Sequence, residues 1–172
     1  MQFTEGQIVV HPHHGPADVS GIVTRQIRGV PVEYINLTIQ STNLAISVPM
    51  EKAEEVGLRE VFDAEQVGRL LGVLQAPTGH EEQAWSRRFK ENNEKISTGD
   101  LFVIAGVVRD LTRRLEDKGL SAGEKDMLKT ARKPLLAELA LATGVSDEEA
   151  EGMLDGAIEG QVPASATPAL AS

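Results

Sequence analysis

Between Tyr34 and Gln40 the chain reads YINLTIQ, in which polar and apolar residues alternate without a break. This alternation would place Ile35, Leu37 and Ile39 on one face of a β-strand. Residues rich in Gly, Pro, Ser and Asn separate this segment from other short apolar runs, as turns require. The pattern predicts four short strands in a small antiparallel sheet, curled into a partial barrel. The other three runs lie at residues 8–10, 19–27 and 44–48.

Beyond Pro49 the apolar residues recur every three or four positions, which is the spacing of one helix face. After one short turn, this spacing predicts five helices. The last two begin with capping boxes, in which a serine and a glutamate three residues later each bind a free backbone N–H. The predicted helices cover Asp63–Leu74, Glu81–Ile96, Asp100–Lys118, Ser121 to about Thr143, and Ser146 to about Ile158.

The two patterns together predict an α+β protein, with a small antiparallel β-domain followed by a compact all-helical domain. The change of spacing near residue 50 predicts a β-domain over residues 1–50 and a helical domain over residues 51–159. Residues 160–172 are rich in Ala, Pro and Ser and are predicted to form a disordered tail.

Charge is distributed unevenly along the chain. The 172 residues carry a net charge of −9, which alone argues against a nucleic-acid partner because phosphate contacts need Lys and Arg. However, residues 84–133 hold 12 of the 17 basic residues and only 8 acidic ones. Any surface that binds an anionic polymer is therefore expected in this segment.

Several other classes of protein find no support in the sequence. There is no cysteine, which excludes disulfides and thiolate metal sites and is compatible with a reducing cytosol. We expect neither a secretory signal nor a membrane span. No nucleophile elbow, phosphate-binding loop or dinucleotide motif occurs, so neither an enzyme nor a cofactor is predicted.

Three histidines lie close together in the segment His11-Pro12-His13-His14. They are compatible with a metal site or with a structural turn. Neighbours on a strand point to opposite faces, so His13 and His14 do not easily share one ion, and no acidic or Cys cluster lies nearby. A structural turn is the favoured interpretation, and no metal site is predicted.

The most informative segment reads AWSRRFK at residues 84–90, where the one Trp of the chain stands among basic residues. On a helix, Trp85 and Phe89 would lie one turn apart on the same side, with cations around them. Such a ring can stack on an exposed base or wedge between base steps while the cations hold phosphates. Spacing alone also permits a core position for both rings, and for Phe89 this alternative is favoured. The patch predicts backbone or minor-groove contact with little sequence preference.

Over roughly residues 3–158 the chain resembles the CarD/CdnL family of bacterial RNA polymerase-binding transcription regulators. The combination of a Trp-Ser-Arg-Arg stretch with Leu-Ser-x-x-Glu-Lys is specific to that family. The matching pieces are the Gly/Val/Pro/His/Gly pattern of residues 6–15, Tyr34, Val48-Pro49, residues 84–90, Val108–Leu111 and Leu120–Lys125.

The resemblance implies a Tudor-like N-terminal domain that docks on the RNA polymerase β subunit through its sheet edge. We expect Arg25, Ile27 and Ser47 to face the polymerase. Ser47 departs from the family, because many members carry a basic residue at this position. The implied protein is a cytoplasmic monomer that reaches the nucleoid through RNA polymerase.

The resemblance also implies that the helical domain contacts the minor groove at the upstream edge of the transcription bubble and stabilises the promoter open complex. The alternative is a pure protein–protein interaction module without direct DNA contact. The predicted DNA contacts are Trp85, Arg87, Arg88, Lys90 and Lys125.

Overall fold

The computed structural model describes residues 2–160 of the chain. They divide between Val61 and Phe62 into two compact units, an N-terminal β-unit and a C-terminal helical unit. The predicted α+β class is thereby confirmed. The predicted disordered tail lies outside the described residues except for Gly160.

The β-unit is a five-stranded antiparallel sheet with strand order β4-β3-β2-β1-β5. The four predicted strands are present, and the fifth was missed because it is only two residues long. A 3-10 turn and one short helix connect β4 to β5. The elements are β1 (Ile8–His11), β2 (Gly15–Ile27), β3 (Val30–Ile39), β4 (Ala45–Pro49), the 3-10 turn (Met50–Lys52), α1 (Ala53–Val56) and β5 (Arg59–Glu60).

Strands β2 and β3 form a long hairpin, because a two-residue turn joins Ile27 directly to its partner Val30. Both turn residues, Arg28 and Gly29, have positive φ angles, of 53° and 80°. Two left-handed residues make the turn twist in the sense that the flanking strands require. As the alternation predicts, Ile35, Leu37 and Ile39 are buried, and they form the core of the sheet with neighbouring strands.

The first boundary lies at residues 61–62 rather than near residue 50. Ala53 and Leu58, which follow the predicted boundary, are buried in the same apolar cluster as the sheet. Strand β5 then pairs with β1, since Arg59 lies opposite Val10 and Glu60 opposite Val9. The β-domain limit predicted at residue 50 is therefore corrected. The change of apolar spacing marks only the end of the first four strands, whereas the elements that follow still pack against the core of the sheet.

The helical unit has five helices around one apolar core. Four of the predicted helices are confirmed to within about two residues. The capping boxes at Ser121 and Ser146 are also confirmed. Within residues 2–160, no helix is both long and apolar enough to cross a membrane. The helices are α2 (Ala64–Gln75), α3 (Trp85–Ser97), α4 (Leu101–Asp117), α5 (Ala122–Thr143) and α6 (Asp147–Ile158).

Helix α3 begins at Trp85 and not at Glu81 as the spacing predicts. In a longer helix, the carbonyl groups of Glu82 and Gln83 would accept bonds from N–H groups one turn later. Instead, both carbonyls accept hydrogen bonds from Nη1 of Arg88, at 3.1 and 3.2 Å. This side chain therefore holds residues 82–83 outside the helix and places Trp85 at its first position.

Candidate nucleic-acid interface

Trp85 lies on the surface at the start of α3, with 50% of its area exposed. Its ring stacks on that of Phe89, with centroids 5.3 Å apart and an interplanar angle of 22°. Phe89 is half-buried and packs against the helical core, as expected for this residue. Of the two positions that spacing permits for Trp85, the structure therefore has the exposed one.

The first turn of α5 approaches these two rings closely. A Cβ atom added at Gly123 would lie 3.3 Å from Cε2 of Phe89, so the absence of a side chain there lets the helix pack against the ring. Nearby, Nε1 of Trp85 donates a hydrogen bond to Oγ of Ser121 over 3.0 Å. The exposed indole is thus held on one side by a ring and at its polar end by a hydroxyl.

Arg88 was predicted to contact DNA, and the structure contradicts this prediction. The residue is only 7% exposed, and its Nε lies 2.7 Å from Oε1 of Glu124, which is 1% exposed. With Nη1 bound to two carbonyls before α3, the guanidinium is committed to the fold. Its role is structural because a buried carboxylate needs a cation and hydrogen bonds to stay charged.

Glu124 is the acidic member of the predicted capping box, and it also receives Arg88. Burial raises the pKa of the Glu124 carboxyl, but hydrogen bonds from Arg88 and from the Ser121 N–H lower it by more. The net result is a pKa below the ordinary glutamate value. The carboxylate is therefore ionised at neutral pH and holds the start of α3 against the start of α5.

The other predicted DNA contacts are exposed and lie on the same two helices. Arg87 and Lys90 are on α3, and Lys125 is on α5, one turn after Ser121. Within residues 2–160, no carboxylate pairs with any of these three cations. The structure therefore brings Trp85 together with the α5 turn that carries Lys125, although the two are 40 positions apart in the chain.

The four arginines of the segment 84–133 other than Arg87 and Arg88 are occupied inside the helical unit. Their guanidinium groups bind carboxylates or the carbonyl groups at helix ends, so their charge is used within the fold. The pairs are Arg109 with Asp110, Arg113 with the Ala76 carbonyl, Arg114 with Glu81, and Arg132 with Asp155. The exposed Arg87, Lys90 and Lys125, on the two helices that meet at Trp85, remain available to an anionic partner.

In the β-unit, two of the three residues predicted to face a polymerase are in contact. Nη2 of Arg25 donates to Oγ of Ser47 over 3.4 Å, and its guanidinium lies 4.9 Å from the centre of the Tyr34 ring. Ser47 in turn donates to Oδ1 of Asn36 over 2.7 Å. Ile27 lies on the same face two residues beyond Arg25 and is 45% exposed.

The histidine segment forms the structural turn that the sequence favours. Nδ1 of His11 accepts hydrogen bonds from the backbone N–H groups of His13 and His14, at 3.1 and 3.3 Å. Burial lowers the pKa of His11, and the neighbouring His14 and His13 lower it further. A neutral ring is required because an acceptor nitrogen carries no proton. In the described part of the chain, no group of three or more His, Cys, Asp or Glu side chains is arranged so that it could hold a metal ion.

Comparison with known proteins divides the chain as the structure does. Residues 3–62 match the family profile described as the CarD-like/TRCF RID domain, and residues 69–155 match that of the CarD C-terminal domain. The chain belongs to the CarD family of bacterial transcription regulators. The chain is also similar to YdeB of Bacillus subtilis (strain 168), which is named as a candidate transcription factor. It is 29% identical over 147 residues, covering 86% of this chain and 96% of YdeB.

The CarD-family matches include every residue singled out above. The C-terminal match contains the Trp85 patch with Lys125, and the RID match contains Arg25, Ile27 and Ser47. Its end at residue 62 agrees with the boundary after Val61. The ion pair between Arg88 and Glu124 could not be predicted from the sequence, because nothing in the residue spacing links Arg88 to the glutamate of a capping box.

Proposed function

We propose that this CarD-family chain is a non-catalytic, monomeric regulator that binds the β subunit of RNA polymerase and stabilises the promoter open complex. It acts in the cytoplasm, at the nucleoid, through the polymerase. The observation that supports DNA binding is the half-exposed, stacked indole of Trp85, with exposed cations on α3 and on the adjoining α5. The match to the RID domain supports the proposed binding to RNA polymerase.

The energetics favour a site where DNA is already opening. Stacking a base on an aromatic ring is worth roughly 1–3 kcal/mol, whereas unstacking a base step costs a few kcal/mol. Trp85 therefore gains little from intact duplex and more from the upstream edge of a bubble, where the minor groove is strained. A gain of ~1.4 kcal/mol shifts the balance between open and closed complexes about tenfold.

The polymerase is needed because the charge of the chain disfavours free DNA. With a net charge of −9, the attraction of phosphates depends on the local field of exposed cations such as Arg87, Lys90 and Lys125. Docking on polymerase raises the effective DNA concentration at the helical unit, so that weak contacts suffice. The contacts include no dedicated reader of base edges, and we expect little sequence preference.

The proposed polymerase-binding face is the outer surface of the β2–β3 hairpin. Register places Val23, Arg25, Ile27 and Val30 on this face, and its apolar members are between 36% and 59% exposed. Ser47 on β4 adjoins Arg25 on this surface. An apolar surface with one cation at its centre suits a protein partner better than a nucleic acid.

The proposed DNA contact is tested by measuring the lifetime of the open complex formed with purified polymerase. Trp85→Ala should shorten this lifetime several-fold while leaving polymerase binding unchanged. Leu115→Ala is the matched control, because it removes a 40% exposed apolar side chain from α4, outside the proposed interface. An unchanged lifetime for Trp85→Ala would reject the DNA contact.

Charge reversal distinguishes the proposal from a pure protein-interaction module. The double variant Arg87→Glu/Lys90→Glu should weaken the protection of upstream DNA in a footprint of the complex. If the footprint stays unchanged, the module without DNA contact is correct. Arg25→Glu tests the proposed polymerase-binding face. This substitution should abolish binding to the isolated β subunit, and retained binding would reject the proposed face.

A further inference from the structure

The hydroxyl of Ser121 uses its full hydrogen-bonding capacity. A serine hydroxyl has one donor and two acceptor positions. It donates to Oε2 of Glu124 over 3.2 Å, and it accepts from the Glu124 backbone N–H at 3.2 Å and from Nε1 of Trp85 at 3.0 Å. Its orientation is therefore determined, and so is the direction in which it meets the indole.

The partner of this hydroxyl is itself immobilised. Oε2 of Glu124 also accepts the Ser121 backbone N–H at 3.1 Å, while Oε1 accepts Nε of Arg88 at 2.7 Å. Arg88 reaches on to the carbonyls of Glu82 and Gln83, just before the residue that opens α3. A continuous series of hydrogen bonds therefore links the backbone just before Trp85, through Arg88, Glu124 and Ser121, to the Trp85 ring.

We propose that Ser121 is a positioning residue for the DNA contact: its hydroxyl, supported by Glu124 and Arg88, holds the Trp85 indole in one orientation before DNA arrives. The inference rests on the proposed function and assigns to Arg88 and Ser121 a part in it without contact to DNA. A half-exposed side chain otherwise loses rotational freedom on binding, and an interaction made beforehand removes that cost from the binding step.

The competing interpretation is that Ser121 only caps α5. The chain contains a close match for this simpler role. Ser146 forms the same capping box at α6, with bonds to Glu149 of 3.1 and 3.2 Å, and it lies 61 positions from the Trp. Ser121→Ala and Ser146→Ala each remove one cap, and only the former removes a bond to the indole.

The first measurement uses the single Trp of the chain as a reporter, on the free full-length protein. In time-resolved fluorescence anisotropy, Ser121→Ala should enlarge the fast, sub-nanosecond loss of polarisation that reports indole motion. Ser146→Ala should leave this phase at the wild-type amplitude. Ser121→Thr retains a hydroxyl and a cap, and it should restore the wild-type decay. Equal decays for Ser121→Ala and wild type would overturn the positioning role.

The second measurement is the open-complex lifetime with purified polymerase. Loss of one hydrogen bond corresponds to about a threefold shorter lifetime for Ser121→Ala, with Ser146→Ala and Ser121→Thr unchanged. Should Trp85→Ala itself have no effect, the proposed function fails. If Trp85→Ala shortens the lifetime but Ser121→Ala behaves like Ser146→Ala, only the positioning role fails. A longer lifetime for Ser121→Ala also overturns it, because the bond would then restrain the ring from its DNA-bound position.

Discussion

Nε of Arg88 lies 2.7 Å from Oε1 of Glu124, and both side chains are almost completely shielded from solvent. This ion pair joins the start of α3 to the start of α5, the two helices that carry the proposed DNA contacts. It explains why one of two adjacent arginines is unavailable to a partner while Arg87 is exposed.

Breaking this pair from one side should be costly. Arg88→Met leaves the Glu124 carboxylate buried without its cation, and such changes cost about 3–5 kcal/mol in the free energy of unfolding. Arg132→Met is the control, because its partner Asp155 is 48% exposed and surface pairs are worth about 0–1 kcal/mol. Urea denaturation measures both. Comparable losses in the two variants would contradict the buried role, whereas Arg88→Met/Glu124→Met should recover part of the lost stability.

The proposed phosphate contacts predict a specific salt dependence. Each cation that neutralises a phosphate contributes about 0.7–0.9 to the slope of log K against log salt concentration. Removing Arg87 or Lys90 by alanine should therefore lower that slope by about this amount for binding to a fork-shaped DNA at low salt. Lys95→Ala is the control on the same helix, because Lys95 is exposed near the opposite end of α3. A slope that falls equally in all three variants would indicate a diffuse charge effect.

The turn at His11 predicts a pH-dependent stability of the β-unit. Because the folded state lowers the pKa of His11, the unfolded chain binds more protons, and the free energy of unfolding falls as the pH drops below about 6.5. The contribution is complete above that pH and is lost as the pH decreases toward the lower, folded-state pKa. His11→Asn keeps an acceptor near the Nδ1 position without a titrating group. Thermal unfolding between neutral pH and the acid range should show a weaker decline for this variant than for wild type.

The corrected boundary can be tested with fragments. A fragment that ends at residue 50 lacks Ala53, Leu58 and β5, whereas one that ends at residue 62 retains all of them. The longer fragment should unfold cooperatively, and the shorter one should expose its sheet core and the unpaired edge of β1. Circular dichroism during heating distinguishes them. Cooperative unfolding of the shorter fragment would restore the boundary at residue 50.

Local patterns were sufficient to predict most of the secondary structure. Alternation in YINLTIQ and the capping boxes at Ser121 and Ser146 depend on contacts within a few residues, and the structure has them where the patterns place them. The start of α3 was predicted too early because the Arg88 guanidinium, which is bound by Glu124, 36 positions away, also binds the carbonyls before the helix. The helix propensities of residues 81–84 do not reveal these side-chain bonds.

The candidate site was predictable in composition but only partly in arrangement. A single Trp among cations identifies the patch, yet two neighbouring arginines look alike in a sequence. Which one turns inward depends on Glu124, 36 positions away, and on the packing of α3 against α5. Long-range pairing of this kind is decided by tertiary structure, so only the folded chain distinguishes Arg87 from Arg88.

Arg113 connects the first and last helices of the helical unit. Its guanidinium donates to the Ala76 carbonyl just after α2, at 2.7 Å, and to the Ile158 carbonyl at the end of α6, at 3.2 Å. When the last turn of α6 frays, it therefore breaks a hydrogen bond from the same guanidinium that binds the carbonyl after α2. Amide protons along both helices should exchange with solvent at similarly slow rates, as one cooperative folding unit.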